Sequence, residues 1–89
     1  MKGTEKQIAW AEDLKAKAID ALEWMRENPS EPGKKNIEMW SKGIDFQISR
    51  INSVEYASKL IDVLRFVNFN DTPGKVGMAV VSQTNHYLK

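Results

Sequence analysis

The side chains in this chain that could do covalent or metal chemistry are few and poorly assembled. Its one histidine, His86, stands three positions from the last residue, where chain ends fray. Nucleophilic catalysis needs a Ser, Thr or Lys held against an activating base, and no such pairing is legible around His86, which is expected to be a solvated, helix-end imidazole. Metal sites need clustered His and carboxylate ligands, and that spacing is missing. Glu12 and Asp13 are adjacent and so face apart on a helix, whereas Glu23 and Glu27, four apart, share a face and read as an exposed acidic stripe. Thr72-Pro73-Gly74-Lys75-Val76 contains the Gly-Lys of a phosphate loop, but Val76 replaces the hydroxyl residue that holds magnesium and no glycine heads the loop. The expectation is a protein with no catalytic residue, no cofactor, no metal and no small-molecule substrate.

The elements that would position a binding surface instead begin at Gly3 to Glu12, GTEKQIAWAE. Thr4 followed three residues later by Gln7 fits a capping box, which predicts a helix starting at about residue 5. Glu5 then lies in the first turn, where the partial positive charge of a helix N-terminus favours a carboxylate. The same ten residues resemble the opening block of a family of mostly uncharacterised bacterial proteins associated with phages and other mobile elements. A second block of that family, of the form A-K-W-W-I-D, is echoed by Ala57-Ser58-Lys59-Leu60-Ile61-Asp62, which lacks both tryptophans. The resemblance implies a helical fold and a phage or mobile-element setting. It transfers no catalytic or binding residue.

At 89 residues the chain is expected to form one helical domain, residues 1–89. Hydrophobic residues make up 42%, enough for a real core and too many for wholesale disorder. The absence of cysteine excludes disulfides and thiolate zinc sites. Thirteen Lys and Arg against 12 Asp and Glu leave a net charge of +1, so no overall field recruits nucleic acid or anionic lipid. No run approaches the roughly 20 apolar residues of a membrane span and no apolar leader is present; the expected location is cytoplasmic.

Periodicity predicts an all-α bundle of three helices plus a fourth at the C-terminus. The first covers Thr4 to Asn28, with Ile8, Trp10, Ala11, Leu14, Ala18, Ile19, Ala21, Leu22 and Met25 on one broad arc and Trp24 at its margin. Asn28 to Gly33 is rich in turn formers and reads as a hinge. The second helix is predicted over Lys35 to Ile51, with Ile37, Met39, Trp40, Ile44, Phe46, Ile48 and Ile51 inward. Gly43 within it costs about 1 kcal/mol against alanine, which points to a close helix contact or a bend. Asn52 or Ser53, with Glu55, is expected to cap a third helix that turns Val54, Tyr56, Ala57, Leu60, Ile61, Val63, Leu64 and Val67 inward and leaves Phe66 outward. Residues 75–89 read as a helix opened by Asp71 or Thr72 and Pro73, with Val76, Val80, Val81, Thr84, Tyr87 and Leu88 on one side; the alternation of Val76, Met78 and Val80 offers a short strand as the alternative.

Two surfaces emerge from this layout. Trp24, Met25 and the outward Phe66 are candidate contacts for a protein partner or a second copy of the chain. Lys34, Lys35, Lys42 and Arg50 are the candidates for nucleic-acid contact, although a nearly neutral protein gains little from neutralising phosphates. The favoured expectation is a non-enzymatic, protein-binding or self-associating accessory protein. Nucleic-acid binding is the alternative, and inhibition of a host defence nuclease is a third.

Overall fold

A computed structural model of the chain describes residues 1–88. Five helices follow one another: α1 (Glu5–Glu27), α2 (Glu31–Lys35), α3 (Ile37–Asn52), α4 (Ala57–Leu64) and α5 (Pro73–Tyr87). The all-α bundle is therefore as expected. Among the described residues the one β feature is an isolated parallel bridge between Lys2 and Tyr56.

The N-terminal block builds its helix start as the sequence dictates. The Thr4 hydroxyl accepts from the Gln7 amide at 3.1 Å, and the Gln7 carboxamide oxygen accepts from the Thr4 amide at 3.2 Å. Gly3 has φ +148°, a conformation that L side chains rarely adopt, and a Cβ there would approach the Ala57 Cβ to 3.1 Å. That close approach lets Lys2 add its backbone to the start of α4: the Lys2 amide donates to Glu55 O at 2.7 Å and the Ala57 amide donates to Lys2 O at 2.8 Å.

The chain then runs alternately up and down. Trp40 and Ser41, near the start of α3, meet the end of α1, so α3 returns antiparallel to α1. Helix α4 starts beside Gly3, α5 starts with Gly74 against Trp24, and the end of α5 meets Arg50 near the end of α3. Helix α1 packs against α3, α4 and α5, and its Ala11, Leu14, Ala18, Ala21, Leu22 and Met25 form the centre of the core. The small residues Ala11, Ala18 and Ala21 admit the neighbouring helices closely.

Several local expectations are corrected. Trp10 is 49% exposed rather than core; on the α1 wheel it lies to one side of the line through Ala11, Ala18 and Met25, which three neighbours already fill. The hinge after Asn28 contains α2, because Pro32 in its first turn is compatible with a helical start. Asn36, at φ −146°, ends α2 and caps α3 by accepting from the Met39 amide at 3.1 Å, so α3 begins at Ile37 rather than Lys35. Ile37, Met39 and Phe46, expected inward, are 54%, 69% and 58% exposed. Helix α3 buries Ile44, Gln47 and Ile51, spaced by three and four, and that stripe puts Phe46 on another face. Gly43 has no atom of a neighbouring element within 4 Å of where a Cβ would be, so close helix contact does not account for it.

The Asn52–Glu55 capping box does not form. Helix α3 runs through Asn52, Ser53 is its C-cap, and α4 starts at Ala57 after Tyr56, which makes no side-chain cap. The Lys2 carbonyl supplies an acceptor there instead, and Tyr56 stays 54% exposed. At the C-terminus the helix reading holds over Pro73–Tyr87, Lys89 lying outside the described residues: Thr72 precedes Pro73, and Val76, Val80 and Thr84 are buried. Tyr87, expected on the same side, is 40% exposed. No helix among the described residues is long and apolar enough to cross a membrane.

Candidate functional site

Between α3 and α5 the bundle is not closed. Asn36, Met39, Trp40, Gly43, Ile44 and Gln47 line one wall of an open groove, Met78 and Val81 the other, Met25 the floor, and Pro32 and Gly33 of α2 the end. The groove holds about 400 Å³. It continues past Trp40 over Trp24, Thr72, Gly74 and Lys75. Both walls are helix seams: the α3 residues recur at three- and four-residue intervals, as do Gly74, Met78 and Val81, the spacing of one helical face. The side chains they present are largely apolar, and Met39 and Met78 are 69% and 63% exposed.

Three interactions hold the groove in shape. The Trp40 indole Nε1–H donates to the Met25 carbonyl at 2.8 Å, which ties the α3 wall to the end of α1. Arg26 reaches from α1 to α3, where it pairs with Asp45 and donates to the Ser41 hydroxyl at 3.3 Å while also pairing with Glu23 at 3.1 Å. The hydrogen bond to Asp45, foremost, holds the Arg26 guanidinium above its ordinary pKa. The third is steric: a Cβ on Gly77 would come within 2.2 Å of Met25 Sδ, so glycine on α5 lets the Met25 side chain lie flat as the floor.

At the far end of α3 a polar network locks α5 down. The Thr84 hydroxyl, fully buried, donates to Gln47 Oε1 at 2.6 Å, and Gln47 Nε2 donates to Asn85 Oδ1 at 3.0 Å. Arg50 donates to Asn85 Oδ1 at 3.0 Å, to Thr84 O at 2.8 Å and to Leu88 O. Thr84 O also accepts from the Leu88 amide at 2.8 Å, whereas Leu88 O lies past the last helical turn, where carbonyls lack intrahelical donors, and the Arg50 guanidinium supplies one.

The structure places the sequence-selected residues unequally. Trp24 and Met25 both lie in the groove, Trp24 40% exposed on its margin and Met25 buried beneath it. Phe66 is 71% exposed and lies outside the groove, with the Arg65 guanidinium 4.6 Å from its ring centre. Of the four basic candidates, Lys34 pairs with Glu31 at 3.3 Å and Lys42 with Glu38 at 3.2 Å. Arg50 is engaged by α5, and Lys35 has no hydrogen-bonding or ionic partner among the described residues. Lys34, Lys35 and Lys42 stand toward the α2 end of the groove, while Arg50 lies eight residues beyond Lys42 along α3. His86 is exposed, with its ring edge-on to Tyr87 at 4.6 Å. No group of three or more His, Asp or Glu among the described residues is placed to hold a metal ion.

Met39, Trp40, Gly43 and Met78 are groove residues that sequence reasoning assigned to packing or left unassigned. The available signal was Gly43, a residue costly to a helix interior and, in the fold, without a packing neighbour. Comparison with protein-family models, curated proteins and solved structures gives no match to this chain.

Proposed function

We propose that the chain is a non-enzymatic protein-binding module that receives an amphipathic helical segment in the groove between α3 and α5. The observation that carries this reading is Gly43: an exposed glycine in the middle of a helix, at the centre of an apolar seam, with open space where its side chain would be. Glycine there costs about 1 kcal/mol of helix propensity and keeps the seam low enough for another backbone or a large side chain to approach. Methionine-lined grooves accommodate helices of differing shape because the thioether side chain is flexible and polarizable, and a helix in an apolar groove is a recurrent recognition mode. The resemblance of Gly3 to Glu12 supports placing this activity in a phage or mobile-element accessory protein.

The test is selection from a displayed library of random peptides on the wild-type protein, followed by affinity measurement on Gly43→Trp. The substitution fills the groove from open space and is expected to keep or raise the unfolding midpoint. Selected peptides should lose at least about tenfold in affinity. Peptides that bind wild type and Gly43→Trp equally, or a selection that yields no binder, would contradict the reading.

A further inference from the structure

We infer that the helix seated on this groove is α3 of a second copy of the chain, running antiparallel to the first in a two-fold dimer. The inference rests on the groove being a helix-docking site and names its occupant.

Helix α3 carries two stripes. One, through Ile44, Gln47 and Ile51, is buried in the bundle. The other runs through Met39, Gly43, Phe46 and Arg50, whose intervals of four, three and four are the a/d spacing of a coiled-coil seam. Met39 and Phe46 are more than half exposed, as is Met78 on the opposite wall of the groove. Two heptads do not hold an isolated coiled coil, but each α3 is already ordered by its own bundle, so association does not have to form the helix.

This seam is complementary to itself, as a two-fold interface requires. Gly43 leaves open space where a side chain would be, and Phe46, three residues on, leaves its ring exposed on the same stripe. Helix α3 covers Ile37–Asn52, and Gly43 and Phe46 stand at equal distances on either side of its midpoint, as do Met39 and Arg50. A second α3 reversed about that midpoint therefore sets each Phe46 over the other copy's Gly43 and each Met39 along the aliphatic stem of the other copy's Arg50. The two helices then overlap over their whole length, whereas a slip of one heptad leaves only about half of each paired. The two-fold keeps both α5 helices on one flank, where each Met78 adds to the apolar surface.

Area and charge set the strength. Met39, Phe46 and Met78, with Gly43 and the part-exposed Trp40, offer on the order of 500 Å² per copy, close to the ~1,000 Å² in total that a specific interface needs, so the dimer is a weak one that dissociates at roughly 10–500 µM. Charge does not select the pairing. At the α2 end Glu31 and Glu38 are paired with Lys34 and Lys42, and Lys35 and Lys75 are offset by Glu27 and Asp71; at the far end Arg50 and Lys59 stand with Glu55. A net charge of +1 per chain sets no long-range barrier to a second copy.

Sedimentation equilibrium of the wild type over roughly 5 µM to 1 mM should show a reversible monomer–dimer equilibrium. Gly43→Glu, which puts a carboxylate where the other copy's Phe46 would sit, and Phe46→Gln should each weaken it at least about tenfold, with helical circular dichroism unchanged because both positions are exposed. Phe66→Gln, at an exposed ring off the seam, should leave the dimer as it is. The chain has no cysteine, so oxidation of an equimolar mixture of Lys35→Cys and Ser53→Cys reports orientation, and the antiparallel pair predicts the mixed disulfide well above the half that random pairing gives. A wild type that stays monomeric while library-selected peptides bind it and not Gly43→Trp overturns the second copy and leaves the groove reading standing, with a foreign helix as occupant. A monomeric wild type with no such peptide overturns both. A dimer that survives Gly43→Glu or Phe46→Gln, that Phe66→Gln dissociates, or that cross-links at random overturns the seam.

Discussion

The Trp40 indole donates to the Met25 main-chain carbonyl across fifteen residues of sequence, at 2.8 Å. This bond ties the α3 wall of the groove to the end of α1 across the intervening α2. The Met25 carbonyl also receives the Asn28 amide at 3.3 Å, so losing the indole does not orphan it. Trp40→Phe is therefore expected to cost only about 1 kcal/mol in urea unfolding, while weakening peptide binding by loosening the wall. A loss above about 3 kcal/mol would mean that the indole is chiefly a core residue.

Two glycines of the groove should behave in opposite ways. Gly43→Ala places a methyl in open space and removes a helix-breaking residue, so it should stabilise the fold by roughly 0.5–1 kcal/mol. Gly77→Ala drives a methyl to 2.2 Å from Met25 Sδ, which forces the floor of the groove to move and should destabilise by about 1–3 kcal/mol. Thermal or urea unfolding of the two variants side by side reads both signs.

Arg50 is expected to act on α5 rather than on an external anion. Arg50→Met removes donors to Thr84 O, Leu88 O and Asn85 Oδ1, and should raise amide hydrogen exchange over residues 84–88 at a cost of about 1–3 kcal/mol. Unchanged exchange at those amides would contradict the clamp.

The N-terminal block should prove structural. Thr4→Ala loses the cap and should cost about 1 kcal/mol. Gly3→Ala meets both a positive φ and the Ala57 Cβ at 3.1 Å, so it should cost more than Thr4→Ala and free the Lys2 amide from Glu55. Hydrogen exchange at Lys2 and Ala57 measures that release.

Much of this fold is legible in the sequence because its signals are local. Thr4 and Gln7 cap α1 through residues three apart, and Pro73 opens α5 by its own backbone geometry. The faces of α3 were less legible. Ile37, Met39, Ile44, Phe46 and Ile51 are all apolar, and hydropathy alone does not say that α1 and α5 cover only the stripe through Ile44, Gln47 and Ile51. Gln47 was invisible as a core residue because its burial depends on Thr84 and Asn85, almost forty residues away. The start of α4 is hidden from the sequence for the same reason: Asn52 and Glu55 form a plausible local cap, but a backbone partner from Lys2 takes precedence. Of the site, Trp24 and Met25 were read from the margin of the α1 arc, whereas Met39 and Met78 become neighbours only through the packing of α3 beside α5.

The four methionines give the most direct test of the docking groove, because Met25, Met39 and Met78 line it and Met1 does not. With methyl-13C methionine in the wild-type protein, titration of a library-selected peptide should shift the Met25, Met39 and Met78 methyl resonances together, leave Met1 in place, and produce no shifts in Gly43→Trp. Saturable binding that moves Met1 alone, or leaves all three groove methyls unmoved, would contradict it.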